Sequence, residues 1–286
     1  MRLFPVGPGH RTTKSKAIML EALRQIFRPR DKGPAGSVPA GERYYVIGDI
    51  HGRLDLFEGL ALAIEQDILD SEPADCTVIL LGDLVDRGED SRGVLATARE
   101  WQQRRKVRIL VGNHEQMFLD SFEDTDVLRH FLKHGGRETV LSHGLDKKTY
   151  NRGTLEEVQA MMRAAIPQED LEFMAGFEEY VVAGDYLFVH AGILPEVPLE
   201  EQRRHDMIWI RDGFTKYQGD LGHIVVHGHT IFEDIDERPN RIGIDTGAYR
   251  SNRLTCLVLE GPSRRYLQAV GAIDGPVTIE KRETPA

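Results

Sequence analysis

The sequence predicts an α/β fold built in layers, on three observations. Short apolar runs rich in β-branched residues recur along the chain, helical patterns separate the first of them, and run after run stops at a loop that carries Asp, Asn or His at or near its start. Alternation of strand, helix and strand places helices on the faces of a sheet.

Taken in order, residues 1–12 carry Pro5, Gly7, Pro8 and Gly9 and read as loose. A basic amphipathic helix is expected next, because Leu20, Leu23 and Phe27 recur at spacings of three and four among Lys14, Lys16, Arg24 and Arg28. Pro29 ends it. A basic helix points only weakly to a membrane surface or partner, so packing against the body is the reading adopted. Residues 29–42, with Pro29, Gly33, Pro34, Gly36, Pro39 and Gly41, read as a linker. The expected organisation is therefore an N-terminal helix and linker over 1–42 and a folded body over 43–286. Strands are expected at 44–47, 77–81, 107–111, 186–189, 224–226, 241–244 and 254–259, with helices at 54–69 and 92–105. Residues 116–180 are mostly helical and polar with several aromatics, and read as a cap inserted into the body.

Composition excludes several functions. The 286 residues fit one large domain or two smaller ones, and 41% are hydrophobic, enough to build a core without staples. Cys76 and Cys256 are the only cysteines, which excludes a disulfide-dense scaffold and a zinc module on four thiolates. A reducing, cytoplasmic setting is expected. Lys and Arg number 36 against 46 Asp and Glu, for a net charge of −10, so no broad basic face for nucleic acid is expected. No apolar run approaches the roughly 18 residues of a membrane span, and residues 1–10 lack the apolar core of a signal peptide.

The chemistry sits where the runs end. Ligands in open α/β sheets bind beyond the carboxyl ends of the strands. Those positions hold Gly48-Asp49-Ile50-His51-Gly52, Gly82-Asp83-Leu84-Val85-Asp86-Arg87-Gly88, Gly112-Asn113-His114-Glu115, His190-Ala191-Gly192 and His227-Gly228-His229-Thr230. Any one of them has an ordinary explanation: an Asp after Gly usually bonds local backbone in a turn, and a lone His after a strand is usually a hydrogen-bonded structural residue. Turn chemistry does not require all five together. Mixed carboxylate, imidazole and amide donors suit a pair of divalent cations such as Mn, Fe or Zn.

With those motifs in order and spacing, residues 43–260 resemble the calcineurin-like metallophosphoesterases, and within them the phosphoprotein phosphatase branch that includes bacterial and bacteriophage serine/threonine phosphatases. The Asp86-Arg87 pair of the middle motif marks that branch. The resemblance implies a layered β-sandwich flanked by helices, with a helical cap. It implies that Asp49 and His51 bind a first metal, that Asp83 bridges two, and that Asn113, His190 and His229 bind the second. His229 is preferred to His227 because the family ligand stands in Gly-His-Thr; His227 is expected beneath the site or lining it. His114 and Asp86 match the family's acid pair and Arg87 its phosphate clamp, with Asn113 also facing phosphate. Arg211, within Ile208-Trp209-Ile210-Arg211-Asp212, resembles a second phosphate-binding arginine.

The implied function is a phosphomonoesterase acting on phosphoserine and phosphothreonine in proteins. The implied cofactor is a dinuclear centre, manganese first, with iron or zinc on the same donors. Its mechanism would be in-line attack of metal-bound hydroxide while His114 protonates the leaving alkoxide, with no phosphoenzyme. Two cations fit this chemistry because phosphate esters repel nucleophiles, and a carboxylate can bridge two cations where an amide could not supply the charge. A guanidinium offers parallel donors to two phosphate oxygens.

Related hydrolases share the three motifs, so symmetrical hydrolysis of dinucleoside polyphosphates is the alternative. A non-catalytic scaffold that binds phosphorylated partners is a third reading, opposed by the His114–Asp86 pair, which such a scaffold would not need. Nucleic-acid phosphodiesterase activity is disfavoured, since Ile231 replaces the further histidine of those branches. Gln116-Met117-Phe118-Leu119 stands where eukaryotic phosphatases continue differently, so regulatory-subunit docking is not carried over. His130, His134 and His143 read as solvated or structural, Asp245 as either support for the site or turn chemistry, and both cysteines as small buried hydrophobes.

Overall fold

A computed structural model describes residues 36–271 and 276–283; the helix expected over residues 14–28 lies outside them. Strand β1 (Glu42–Ile47) lies at the centre of the fold, and its side chains divide by the two-residue period of a strand. Tyr45 and Ile47 join one apolar core, Tyr44 and Val46 a second. The same division runs through β2 (Asp75–Leu80), where Val78 and Leu80 face the first core and Ile79 the second. A strand buried on both faces reads as a continuous apolar run, which is why these strands were legible.

The first core is closed by helices α1 (Leu54–Asp70) and α2 (Ser91–Arg104), through Leu56, Phe57, Leu60, Ile64, Val94, Leu95 and Trp101. Asp90 starts α2 by accepting the Gly93 N–H at 2.7 Å. The second core is closed by another sheet, whose β5 (Tyr186–Val189), β6 (Ile224–His227) and β8 (Arg241–Gly243) contribute Tyr186, Phe188, Val226 and Ile242. Alternate residues of these strands, Leu187, Val189 and Val225, pack outward against Met207 of α9 (Arg204–Trp209) and Phe214 of α10 (Asp212–Thr215). Two face-packed sheets with helices outside make the layered sandwich that the sequence predicts.

Three further elements complete the first sheet: β3 (Val107–Ile109), β9 (Arg253–Glu260) and β10 (Ser263–Val270), with β11 (Thr278–Glu283) at its edge. Its order is β11-β10-β9-β1-β2-β3. The second sheet adds β4 (Tyr180–Ala183) and β7 (Asp236–Arg238) in the order β4-β5-β6-β8-β7. β1, β2 and β3 run parallel in one sheet and β5, β6 and β8 in the other. Six carboxyl ends are therefore available to one edge of the sandwich.

One detail differs from the reading of the sequence. The body starts before Arg43: Val38 is buried in the second core, its N–H bonds the Gly261 carbonyl at 3.1 Å, and the Tyr186 hydroxyl donates to the Gly36 carbonyl at 3.0 Å. Pro and Gly there mark an extended strap rather than a free linker. The cap is helical as expected, with α3 (Asn113–Asp120), α4 (Thr125–Phe131), a π-turn at Leu132–Gly136, α5 (Arg137–Ser142), α6 (Lys147–Arg152), α7 (Leu155–Ala165) and α8 (Gln168–Ala175). Its Phe118, Phe131, Met162 and Met174 continue the first core. The cap is thus fixed to the body by shared packing. A short α11 (Ala248–Ser251) precedes β9. Among the described residues no helix is long and apolar enough to cross a membrane.

Candidate metal centre

The loop after β1 docks on the loop after β2: the N–H groups of Ile50 and His51 bond the Asp83 carbonyl at 3.1 and 2.8 Å, and that of Gly52 bonds Leu84 at 2.9 Å. The approach is close enough that a Cβ on Gly88 would stand 2.7 Å from the Gly52 carbonyl carbon. From the third strand end, Glu115 at the start of α3 is fully buried, and its carboxylate accepts the N–H groups of Gly112 and Asp83 at 2.9 Å and of Leu84 at 2.7 Å. It staples two motif loops together. Burial first, then the Asp83 charge, push its pKa up to about 7.

Backbone strain concentrates here. His51, Asp83, Asp86, Arg87 and His229 all have φ between 47° and 75°, a conformation costing about 1–3 kcal/mol for such residues. Among the described non-glycine residues only Glu196 and Asn252 share it. The loop contacts impose these angles, and they turn the side chains toward one point.

That point is the buried Asp83 carboxylate. His51 donates its Nδ1–H to the Val85 carbonyl at 2.8 Å, leaving the Nε2 lone pair 3.6 Å from Asp83 Oδ2. His190 donates Nδ1–H to the Leu81 carbonyl at 2.8 Å, leaving its Nε2 3.4 Å from Asp83 Oδ1 and 3.1 Å from Asn113 Oδ1. Nitrogen and oxygen lone pairs thus face one another with no proton between them. His229 Nε2 is buried without a hydrogen-bond partner. Two groups of donors, His51 with Asp83 and His114, and Asp83 with His190 and His229, each lie within 4.8 Å of one another and share Asp83.

Electrostatics fit the same answer. Burial holds His51 and His190 below the ordinary imidazole range and His229 at about 2, so all three are neutral imidazoles with a lone pair to offer. Asp83 is buried among these imidazoles, so its carboxylate needs positive charge beside it. Asp49 accepts the His229 N–H at 3.0 Å; burial, then Asp245 and Asp83, push its pKa up. Asp245 is likewise pushed to about 6, chiefly by burial. Buried carboxylates crowded with uncharged imidazoles call for cations, and the residues present fit divalent metal.

Beside the clusters stands an acid pair. His114 Nδ1 donates to Asp86 Oδ2 at 2.6 Å, and both residues are buried. Burial lowers the His114 pKa, but Asp83 and the bonded Asp86 outweigh it, so the imidazole lies above its ordinary range. Arg87 donates to His51 Nε2 at 2.7 Å and to His114 Nε2 at 2.8 Å, so His114 carries a proton on Nε2 only when Arg87 has turned away; the guanidinium stacks 4.8 Å from the Tyr249 ring centre. The His51 lone pair can serve Arg87 or a cation, so metal at His51 requires Arg87 to turn away. Arg211 lies on the other side, donating to the His229 carbonyl at 3.4 Å.

His51, Asp83, Asn113, His114, His190 and His229 therefore meet, with Asp86 and Arg87 against them and Asp49 bonded to the His229 backbone. His227 packs beneath, buried between Phe214, Phe232 and Arg241, and burial lowers its pKa to about 4. His143 is buried against Asp170 at 3.3 Å and His130 stacks on His134, away from the centre. Asp245 accepts the Gly247 N–H, as a turn residue does, while crowding Asp49. Four contributors carried no assigned role in the sequence. Glu115 was visible in its motif; Thr139 and Ser91, which accept the Asp86 N–H at 2.8 and 3.0 Å, and Tyr249 gave no local signal.

Comparison with known proteins agrees. The calcineurin-like phosphoesterase family profile matches residues 42–254. The chain is 25% identical over 233 residues to an asymmetrical bis(5'-nucleosyl)-tetraphosphatase of Bacillus velezensis, spanning 74% of this chain and 87% of that one. It is 27% identical over 218 residues to serine/threonine-protein phosphatase 2 of Escherichia coli, spanning 74% and 90%. Among solved structures, a candidate diadenosine tetraphosphatase superposes with a TM-score of 0.57 at 19% identity, over 84% of this chain and all of that one. A cold-active protein tyrosine phosphatase gives 0.54 at 19% identity, over 86% and 82%. With the matched residues taking in all five strand-end motifs, the chain belongs to the calcineurin-like phosphoesterases, metal-dependent hydrolases of phosphate esters.

Proposed function

We propose that the protein is a phosphomonoesterase of phosphoserine and phosphothreonine residues. The observation that carries this reading is the His114–Asp86 pair, bonded at 2.6 Å, with His114 Nε2 4.0 Å from the carboxylate on which the metal donors converge. An acid is thereby held at the edge of a cation site.

Asp49, His51, Asp83, Asn113, His190 and His229 would hold two divalent cations, of which these donors accept Mn, Fe or Zn. Bound there, such cations withdraw negative charge from a phosphoryl group and acidify water. Arg87, free to leave the two imidazoles, presents paired N–H donors to phosphate oxygens, and Tyr249 supports its plane. Arg211 and the Asn113 amide add donors on the second side. His114 gives its Nε2 proton to the leaving oxygen as the P–O bond breaks, and Asp86 stabilises the imidazolium before that transfer.

Protein substrates are favoured over nucleotides by the ground beside the site. A hollow of about 520 Å³ includes Met117, Val127, Ile208 and Trp209, with the carboxylates of Asp120 and Asp126 and the guanidinium of Arg204 in its wall. The Trp209 ring centre is 6.2 Å from that of His229. Apolar walls with charges of both signs receive the side chains that neighbour a phosphoserine. Dinucleoside polyphosphate hydrolysis is the second reading, supported by the tetraphosphatase relatives. Side-by-side kcat/KM on a phosphoserine peptide and diadenosine tetraphosphate, with added manganese, separates them. Preference for the peptide supports the proposal; preference for the nucleotide overturns it, and the products, two ADP or ATP plus AMP, then give the cleavage position.

A further inference from the structure

From the cap, one side chain reaches the acid pair. Thr139, on α5, is fully buried, and its hydroxyl lies 2.6 Å from Asp86 Oδ1, 2.8 Å from the Asp86 N–H and 2.9 Å from Ser91 Oγ. The carboxylate oxygen Asp86 Oδ1 can only accept, so the single Thr139 proton goes to it; the Ser91 hydroxyl donates to the Thr139 oxygen, and the Asp86 N–H is shared between that oxygen and Ser91 Oγ at 3.0 Å. One carboxylate oxygen is then held by the cap and the other by His114. The same cap segment grips the next residue, since the Gly135 carbonyl accepts the Arg87 N–H at 3.0 Å. Gly135 sits at φ 110° in the π-turn, and a Cβ there would stand 2.9 Å from the Arg87 nitrogen.

Asp86 and Arg87 are consecutive left-handed residues, at φ 75° and 70°, and such geometry persists only where neighbours over-determine it. We infer that Thr139 is a positioning residue that locks the Asp86 carboxylate on His114, so that the cap sets the alignment of the proton donor. The inference rests on the assignment of His114 as the acid. It concerns the step in which a water-derived oxygen bonds to phosphorus, the ester P–O bond breaks with its electron pair staying on the leaving oxygen, and that oxygen takes the His114 Nε2 proton.

Thr139→Val keeps the shape and removes the hydroxyl; Thr139→Ser keeps the hydroxyl. A leaving group that departs as a stable phenolate needs little protonation, whereas a serine alkoxide needs it fully. Thr139→Val is therefore expected to lower kcat on a phosphoserine peptide by about 10–100-fold, the usual effect of losing a supporting hydrogen bond. It should lower kcat on p-nitrophenyl phosphate by less than about 3-fold, with KM and bound metal unchanged, because protonation is dispensable there. Thr139→Ser should restore peptide turnover. Equal losses on both substrates, or no loss on the peptide, overturn the inference.

A second readout needs no turnover. The buried His114 Nδ1–H should give a downfield proton resonance, assigned by its loss in His114→Asn. It should move upfield or broaden in Thr139→Val and stay in Thr139→Ser; an unchanged resonance in Thr139→Val overturns the inference. Failure of wild type on every phosphoester would overturn the functional reading and leave this test of Thr139 intact.

Discussion

Replacing Gly112 by alanine adds one methyl group at the most crowded point of the centre. Gly112 has φ −97° and ψ 171°, angles open to alanine, so any effect is steric. The added Cβ would lie 2.5 Å from the Asp83 nitrogen and 2.8 Å from Glu115 Oε2, and closer still to Asp83 Oδ1. Ordinary contact begins near 3.4 Å, so the Asp83 backbone has to retreat by about 0.9 Å. Rotation of the Asp83 side chain does not relieve this, because the nearest backbone atom is itself in the way. Metal sites tolerate shifts of only about 0.2 Å in ligand distance, and reacting groups misplaced by about 1 Å lose on the order of 100-fold in rate. Gly112→Ala is expected to cost about 1–3 kcal/mol of stability by overpacking. It should also lower p-nitrophenyl phosphate turnover by at least about 100-fold at saturating manganese. Urea unfolding and steady-state kinetics on the same preparation check both. A folded variant with turnover within about 3-fold of wild type would refute the reasoning, since 3-fold is far below the loss that a 1 Å shift implies.

Two more outcomes are expected. Arg87→Lys keeps the charge but loses the planar pair of donors and the stacking on Tyr249, so KM for p-nitrophenyl phosphate should rise about 10-fold while bound metal stays constant; an unchanged KM would remove Arg87 from phosphate binding. Asp67 is opposed by burial, but Arg265 at 2.6 and 3.0 Å and the Tyr45 hydroxyl at 2.7 Å outweigh it and depress its pKa. A depressed folded pKa contributes stability above the unfolded value of about 4 and loses it as pH falls through the folded value. Asp67→Asn should therefore destabilise at pH 7 and flatten the loss of stability toward pH 3, measured by urea midpoints; parallel pH curves would contradict the assignment.

Strands such as Tyr44 to Ile47 and Tyr186 to Val189 were read because they are buried on both faces and leave a continuous apolar signature. β10, buried from Tyr266 to Ala269, was missed because Arg264, Arg265 and Gln268 interrupt its apolar pattern. β11 was missed because Thr278 to Glu283 is an exposed edge strand held by pairing to β10. β7, with the sequence Asp-Glu-Arg, is likewise defined by its partner. The candidate centre was legible because its donor residues follow strand ends and come with glycines that close packing demands. Thr139 and Tyr249 were not, because a hydroxyl from a cap helix and a ring beneath an arginine acquire meaning only when the chain has folded. The strap at residues 36–41 was misread since Pro and Gly signal irregular backbone, packed or free alike.

The central claim is that Asp83 joins two groups of buried donors into one site for two cations. Equilibrium dialysis of the full chain against manganese, followed by elemental analysis, measures this directly. Two ions per chain are expected for wild type and for His114→Asn, and fewer than one for Asp83→Asn with unchanged circular dichroism. No bound metal in wild type, or two ions retained in Asp83→Asn, would contradict it.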